Sequence, residues 1–105
     1  MMVEPPVDEI VQKIVEAFHP RRIVMFGSRV RGEQGPDSDL DLFIEMERTN
    51  PPRERMREVI RLFGLRRWAM DVVVYTPQEV QRWRDVVGTL LYTIEREGKV
   101  LYERS

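Results

Sequence analysis

The chain contains no cysteine, a single histidine and no apolar run long enough to cross a bilayer. Without cysteine there are no disulfides, thiol nucleophiles or thiolate metal sites, a composition that suits a reducing compartment. His19 directly precedes Pro20, which disfavours helix at that residue, so it reads as a helix boundary rather than a general base. Serine-hydrolase chemistry therefore has little support. No Gly-Lys-Ser or Gly-Lys-Thr follows the glycines, which excludes a Walker-type phosphate loop. The segment Met1–Pro6 has no basic stretch followed by an apolar one, and the expectation is a soluble cytoplasmic protein without membrane attachment. Repeats, linkers and low-complexity tracts are absent. At 105 residues the chain reads as one domain, residues 1–105, with a modest core and no room for a separate substrate domain.

Charge is present in quantity and unevenly placed, although the net charge is only -1. From Arg29 to Glu47 there are six acidic and two basic residues, whereas Arg48 to Arg67 holds seven arginines against Glu54 and Glu58. The arginine-rich segment reads either as a solvated helix face or as a surface for an acidic partner.

Periodicity supplies the elements. Val7, Ile10, Val11, Ile14, Val15 and Phe18 predict an amphipathic helix from Pro6 to about Phe18. Arg22–Phe26 reads as a short buried strand, Asp39–Glu45 as a second and Trp68–Tyr75 as a third. Between the second and third, Asn50-Pro51 opens a helix with Met56, Val59, Ile60 and Phe63 inward and Gly64 as its C-cap. Thr76-Pro77-Gln78-Glu79 matches a capping box with proline at the first helical position. The helix it opens directs Val80, Trp83 and Val87 inward, with a break at Gly88 and a second helical piece through Leu90, Leu91 and Ile94 to Gly98. Lys99–Tyr102 is a short closing strand or tail. Trp68, Trp83 and Tyr92 read as core or interface anchors, since no interleaving with basic residues suggests a base-stacking platform. The resulting fold class is α/β (α+β), a small mixed sheet flanked by helices.

One stretch carries chemistry. Phe26-Gly27-Ser28-Arg29-Val30-Arg31-Gly32 follows the first strand, and ten residues after Ser28 comes Asp39-Leu40-Asp41. Gly27 lets backbone approach a phosphate, Ser28 can donate a hydroxyl to it, and a short helix after Gly27 would aim free N–H groups at an anion. On an extended strand Asp39 and Asp41 share one face while Leu40, Leu42 and Ile44 share the other. Two adjacent carboxylates repel unless a hard divalent cation neutralises them, and magnesium is the expected ion. Arg29 and Arg31 either clamp phosphate or pair with nearby acids. Ser38 can shape the intervening loop by local hydrogen bonding, and Asp37 reads as a turn residue. Asp71 heads an otherwise apolar strand, an unusual place for a carboxylate without a partner or a solvent-facing task.

Gly27-Ser28 followed after ten residues by Asp39-x-Asp41 resembles the signature of the nucleotidyltransferase superfamily that includes DNA polymerase beta. Gly-Ser-Arg-Val-Arg-Gly and the short chain are similar to the minimal nucleotidyltransferases of prokaryotes, many of which are encoded beside a helical HEPN-type protein as antitoxin and toxin. One departure is Val30, where relatives often carry alanine. The resemblance covers most of the chain and implies a nucleotidyltransferase fold. It implies that Gly27 and Ser28 hold an NTP, that Asp39 and Asp41 ligate Mg2+, and that Asp71 is the third carboxylate, catalytic and metal-binding. The implied reaction is transfer of AMP from ATP to a hydroxyl, with the acceptor presented by a HEPN-type partner because so short a chain has little surface for one. A catalytically inert module that neutralises its partner by occlusion is the alternative. Nucleic-acid binding by the Arg53–Arg67 face is weaker still, and the nucleotide and any homo-oligomerisation are left open.

Overall fold

The computed structural model describes residues 3–33, 35 and 38–104. The expected turn at Asp37 lies outside the described residues. Helix α1 spans Val7–Phe18 and buries Ile10 and Ile14, the central members of the periodic stripe. It ends as Pro20 requires: His19 turns left-handed at φ 50° and donates its N–H to the Val15 carbonyl. Histidine is among the residues that tolerate this region. The chain then enters β1, Arg22–Phe26, and a one-turn helix α2, Ser28–Arg31. Strand β2 is Leu40–Glu45, helix α3 is Pro52–Arg61, and strand β3 is Met70–Tyr75. Helices α4, Pro77–Trp83, and α5, Leu90–Glu97, lead to β4, Lys99–Glu103.

The four strands lie in the order β3-β2-β1-β4. Strand β1 is antiparallel to both β2 and β4, whereas β2 and β3 are parallel. A parallel pair cannot be joined by a hairpin, and α3 is the crossover that returns the chain. One sheet face carries Ile23, Leu40, Leu42, Ile44, Val72 and Val74 into a core with Ile10 and Ile14 of α1 and Val59 of α3. The other carries Val24 and Phe43, covered by Val80, Leu91 and Ile94 of α4 and α5. Alternation thus works as expected for Leu40, Leu42 and Ile44. The opposite face is only partly open, however, because Phe43 is fully buried and Glu45 nearly so. At its other end Asp39 is exposed and Asp41 partly so.

Several boundaries move. Asp39 precedes β2 instead of opening it, and Trp68 and Ala69 precede β3. Helix α3 closes at Arg61, with Leu62 and Phe63 making tighter bonds to Val59 and Ile60, so Gly64 lies beyond the cap. On α3 it is Arg55 and Val59 that are buried, while Met56 is exposed. Arg55 displaces the methionine because it has a better partner for its polar atoms. Its guanidinium donates to Glu79 Oε1 at 2.8 Å, to the Asn50 carbonyl at 2.7 Å and to the Val74 carbonyl at 3.3 Å. Trp83 and Val87 are likewise exposed, because the chain turns away from the sheet before Gly88, whose φ is 92°. The Thr76–Glu79 capping box forms on both sides. The last turn of α5 is tied to the sheet by Arg22, which donates to both oxygens of Glu95 at 2.7 and 2.8 Å and to Glu45 at 3.1 Å.

Candidate functional site

The fold brings Gly27, Ser28, Asp39, Asp41 and Asp71 to one end of the sheet. Antiparallel pairing sets Phe26 opposite Asp41, and parallel pairing sets Asp41 opposite Asp71. The C-terminal end of β1 and the N-terminal ends of β2 and β3 therefore coincide. Directly opposed residues on adjacent strands have Cβ atoms about 5 Å apart on the same face. Residues separated by thirty positions in sequence become neighbours in this way.

Gly27 is required twice over. Its φ of 83° and ψ of -157° lie in a region open in practice only to glycine. A Cβ there would also strike the Asp41 carboxylate, which packs directly against the glycine backbone. The chain then winds into α2, where the Gly27 carbonyl accepts from the Val30 and Arg31 amides at 3.1 and 3.3 Å. As at any helix start, the first amides of this turn have no intrahelical acceptor.

The acids perturb one another. Burial holds the Asp41 carboxyl above its ordinary pKa, and the charges of Asp71 and Asp39 push it further, against the pull of Arg31 and Arg29. Asp71 is also raised, by burial, by a hydrogen bond with Asp39 and by the charge of Asp39. Concentrated negative charge at hard oxygen donors is what a divalent cation such as Mg2+ relieves. The donor set of Asp39, Asp41 and Asp71 fits such an ion. Among the described residues, no three acidic or histidine side chains are drawn together as a finished metal cluster.

The two arginines differ. Arg29 is largely buried and commits its guanidinium to Glu4 at 3.2 Å and to the Ser38 carbonyl at 3.0 Å, immediately before Asp39. It braces the acidic loop, and Ser38 Oγ tightens that loop further by accepting from the Gly35 amide at 2.7 Å. Arg31 is half exposed and, among the described residues, pairs with Glu33 at 3.0 Å. Such a surface pair contributes at most about 1 kcal/mol and can be given up for a phosphate. Glu4 went unnoticed in the sequence, where nothing marks a residue 25 positions away as a partner for Arg29. The same holds for the flanking surface: Phe26, Val73 and Tyr75 are half-buried on the acidic face and continue it toward α4 and α5.

A concavity of about 550 Å³ lies at the opposite end of the sheet, lined by His19, Arg21, Met46, Arg48, Pro77 and Arg104 among others. His19 contributes its carbonyl there, to Arg104 at 3.2 Å. Neither that cavity nor the histidine touches the carboxylates. The candidate site is instead the acidic end, where the carboxylates and the glycine turn converge. The arginine-rich segment is divided: Arg55 is buried on Glu79, while Arg53 and Arg57 are exposed. Among the described residues no helix is long and apolar enough to cross a membrane.

A family model described as nucleotidyltransferase domain matches residues 7–104. The fold is similar to a 1.40 Å crystal structure from Sulfolobus solfataricus described as a candidate nucleotidyltransferase, with a TM-score of 0.66 and 23% identity over 93% of this chain and 78% of that one. At that identity the likeness establishes the nucleotidyltransferase fold. No curated protein matches the chain.

Proposed function

Because this chain belongs to the nucleotidyltransferase domain family, we propose that it transfers AMP from ATP to a hydroxyl of a partner protein, a HEPN-type toxin for which it is the antitoxin. The observation that carries the transfer chemistry is the register of Asp41 against Asp71, with the Asp41 carboxylate seated on Gly27. In this reading Gly27, Ser28 and the amides of α2 hold the triphosphate, and Arg31 leaves Glu33 to pair with it. Arg29 acts by bracing the loop ahead of Asp39. Asp39 and Asp41, with Asp71, would hold Mg2+, which when bound neutralises charge on the phosphates and the leaving group.

The acceptor oxygen attacks the α-phosphorus, the new P–O bond forms as the bond to the β-phosphate oxygen breaks, and pyrophosphate leaves. Asp71, placed beside the acceptor, receives its proton. Incubation with α-labelled ATP and Mg2+ and a lysate of the native host tests this. A protein acceptor becomes labelled by the wild type and not by Asp39→Asn or Asp41→Asn; equal labelling by either variant would refute the two-carboxylate assignment.

A second reading, neutralisation by occlusion without turnover, is favoured by one observation. Trp83, Val86, Val87 and Leu90 expose apolar surface together at the α4–α5 turn, as a protein-binding patch does. Neutralisation that survives loss of Asp39 and Asp41 would select this reading.

A further inference from the structure

The end of the sheet remote from the carboxylates gathers a second set of charged groups, and these are positive. The Arg21 amide donates to the Glu45 carbonyl at 2.7 Å, the Arg104 amide to the Arg21 carbonyl at 2.9 Å and the Met46 amide to the Tyr75 carbonyl at 3.0 Å. The start of β1 and the ends of β2, β3 and β4 therefore meet there, and Phe18 and His19 at the end of α1 wall one side of the concavity of about 550 Å³. Arg21, Arg48 and Arg104 line it against one acid, Glu47. None of the three has a close carboxylate partner among the described residues. Arg22 and Arg55 hold theirs at 2.7 and 2.8 Å, whereas Arg21 stands 3.8 Å from Glu45, an acid that Arg22 already engages at 3.1 Å. Arg48 stands 3.7 Å from Glu58 and donates to the Glu47 carbonyl at 3.3 Å, and its Nε is buried without a partner. Arg104 donates to the His19 carbonyl at 3.2 Å. The Arg48 guanidinium lies over the Phe18 ring at 5.2 Å, a stacking that orients its plane without using its N–H groups.

We propose that this concavity is a second ligand site, which takes a small oligophosphate: linked phosphate groups, either free or carried on a nucleoside. Such a site does not depend on the transfer reaction. A phosphate group carries about −1.5 to −2 charge at pH 7 and three acceptor oxygens, so a linked pair matches the guanidinium cluster, offset by Glu47, better than a lone carboxylate does. Guanidinium donates to these oxygens in parallel pairs, and the buried Arg48 Nε gains the acceptor that it lacks. The volume lies within the roughly 300–1,000 Å³ of small-molecule sites. A nucleic-acid strand needs a basic track that continues past the cavity, but on the neighbouring surface Arg57 and Arg61 of α3 share their hollow with Glu54 and Glu58. Along β2, Met46 lies about 16 Å from Asp41 at the rise of an extended chain. That exceeds the Debye length of about 8 Å at physiological salt, so the two ends of the sheet bind their ligands separately.

The test titrates inorganic pyrophosphate into the full chain in EDTA, where without a divalent cation the carboxylates of the acidic end repel the anion. The His19 and Met46 amide resonances and the Arg48 Nε–H resonance shift saturably at submillimolar pyrophosphate, while those of Gly27 and Asp41 stay in place. Arg48→Gln and Arg104→Gln each weaken binding about tenfold. Arg48→Lys also weakens it, because the charge is kept and the planar fork is lost, and the Asp39→Asn, Asp41→Asn double variant binds like the wild type. Thermal melting checks the fold of each variant; should Arg48→Gln not fold, Arg104→Gln, at an exposed position, decides. Affinity for ADP no higher than for pyrophosphate assigns the site to the free anion, and higher affinity assigns it to a nucleotide. No shift at millimolar pyrophosphate, equal affinity for sulfate, or full binding by Arg104→Gln overturns the proposal. A hexaglutamate peptide or a single-stranded RNA that moves the same resonances at lower concentration than pyrophosphate or ADP assigns the cavity to a macromolecule and also overturns it.

Discussion

Replacing Gly27 by alanine separates the backbone's contribution to the site from that of the carboxylates. Two effects act. The conformation at φ 83° and ψ -157° is one that an L-residue holds only at a cost of about 1–3 kcal/mol. The new Cβ also overlaps the Asp41 carboxylate, the side chain it meets first. That carboxylate is already held unfavourably by burial and by Asp71 and Asp39, so it swings away more readily than β2 shifts. A domain of this size has total stability of about 5–15 kcal/mol, so the variant stays folded. Each kcal/mol lowers Tm by about 4–8 °C, which makes the backbone cost measurable by thermal denaturation. Moving a catalytic group by about 1 Å can cost about 100-fold in rate, so transfer from α-labelled ATP falls at least that far. The steric component is isolated by repeating Gly27→Ala in an Asp41→Ala background, where the clash is gone and only the backbone cost remains. Identical Tm losses in the two backgrounds, together with retained transfer in the single variant, would refute the claim that Gly27 is there to seat Asp41.

Arg22→Leu removes the bidentate partner of Glu95 and the nearer partner of Glu45, leaving Arg84 at 3.5 Å and Arg21 at 3.8 Å beside them. Breaking a buried ion pair from one side costs about 3–5 kcal/mol when the remaining charge has no other partner, and the value here falls at or below the lower end because Arg84 and Arg21 remain beside Glu95 and Glu45. The hydrogen bond from Arg22 holds the Glu95 carboxyl below its ordinary pKa. A depressed carboxylate stabilises the fold above its unfolded pKa of about 4.5 and loses that contribution as pH falls through the folded value. Urea titrations from pH 6 down to pH 3 therefore show wild-type stability falling, and this component of the fall disappears in Arg22→Leu. Asp41 has the opposite sign. Its raised pKa means that ionisation disfavours the fold as pH rises from the unfolded to the folded value, so Asp41→Asn raises Tm at pH 7 while it removes transfer. A Tm equal to or below that of the wild type would contradict the strain assigned to this site. Mg2+ raises the wild-type Tm and leaves the Asp39→Asn, Asp41→Asn double variant unmoved; an equal rise in both would place the ion elsewhere.

Much of the site was legible because its signals are local. Gly27, Ser28, Asp39 and Asp41 lie on either side of one loop, and the turn at Gly27 and the alternation after Asp39 operate over a few residues. Asp71 stood out as a charge at the head of an apolar strand. What stayed hidden was pairing over distance. Nothing in the sequence assigns Glu4 to Arg29, Glu95 to Arg22 or Glu79 to Arg55, because long charged side chains reach across elements whose separation is set by packing. Met56 and Arg55 exchanged places for the same reason: periodicity offers both near the stripe, and the acceptors supplied by Asn50, Val74 and Glu79 decide which one is buried.

By itself the sequence determined the elements and the chemistry at their ends. Apolar spacing of 3.6 and 2 residues specifies helices and strands before any of them meet, and glycine or proline punctuates them through φ alone. Only the tertiary structure decided that β2 and β3 run parallel and that Asp41 falls opposite Asp71. Register and strand order arise from which apolar faces can be buried together, a property of the whole assembly of elements that no single segment carries.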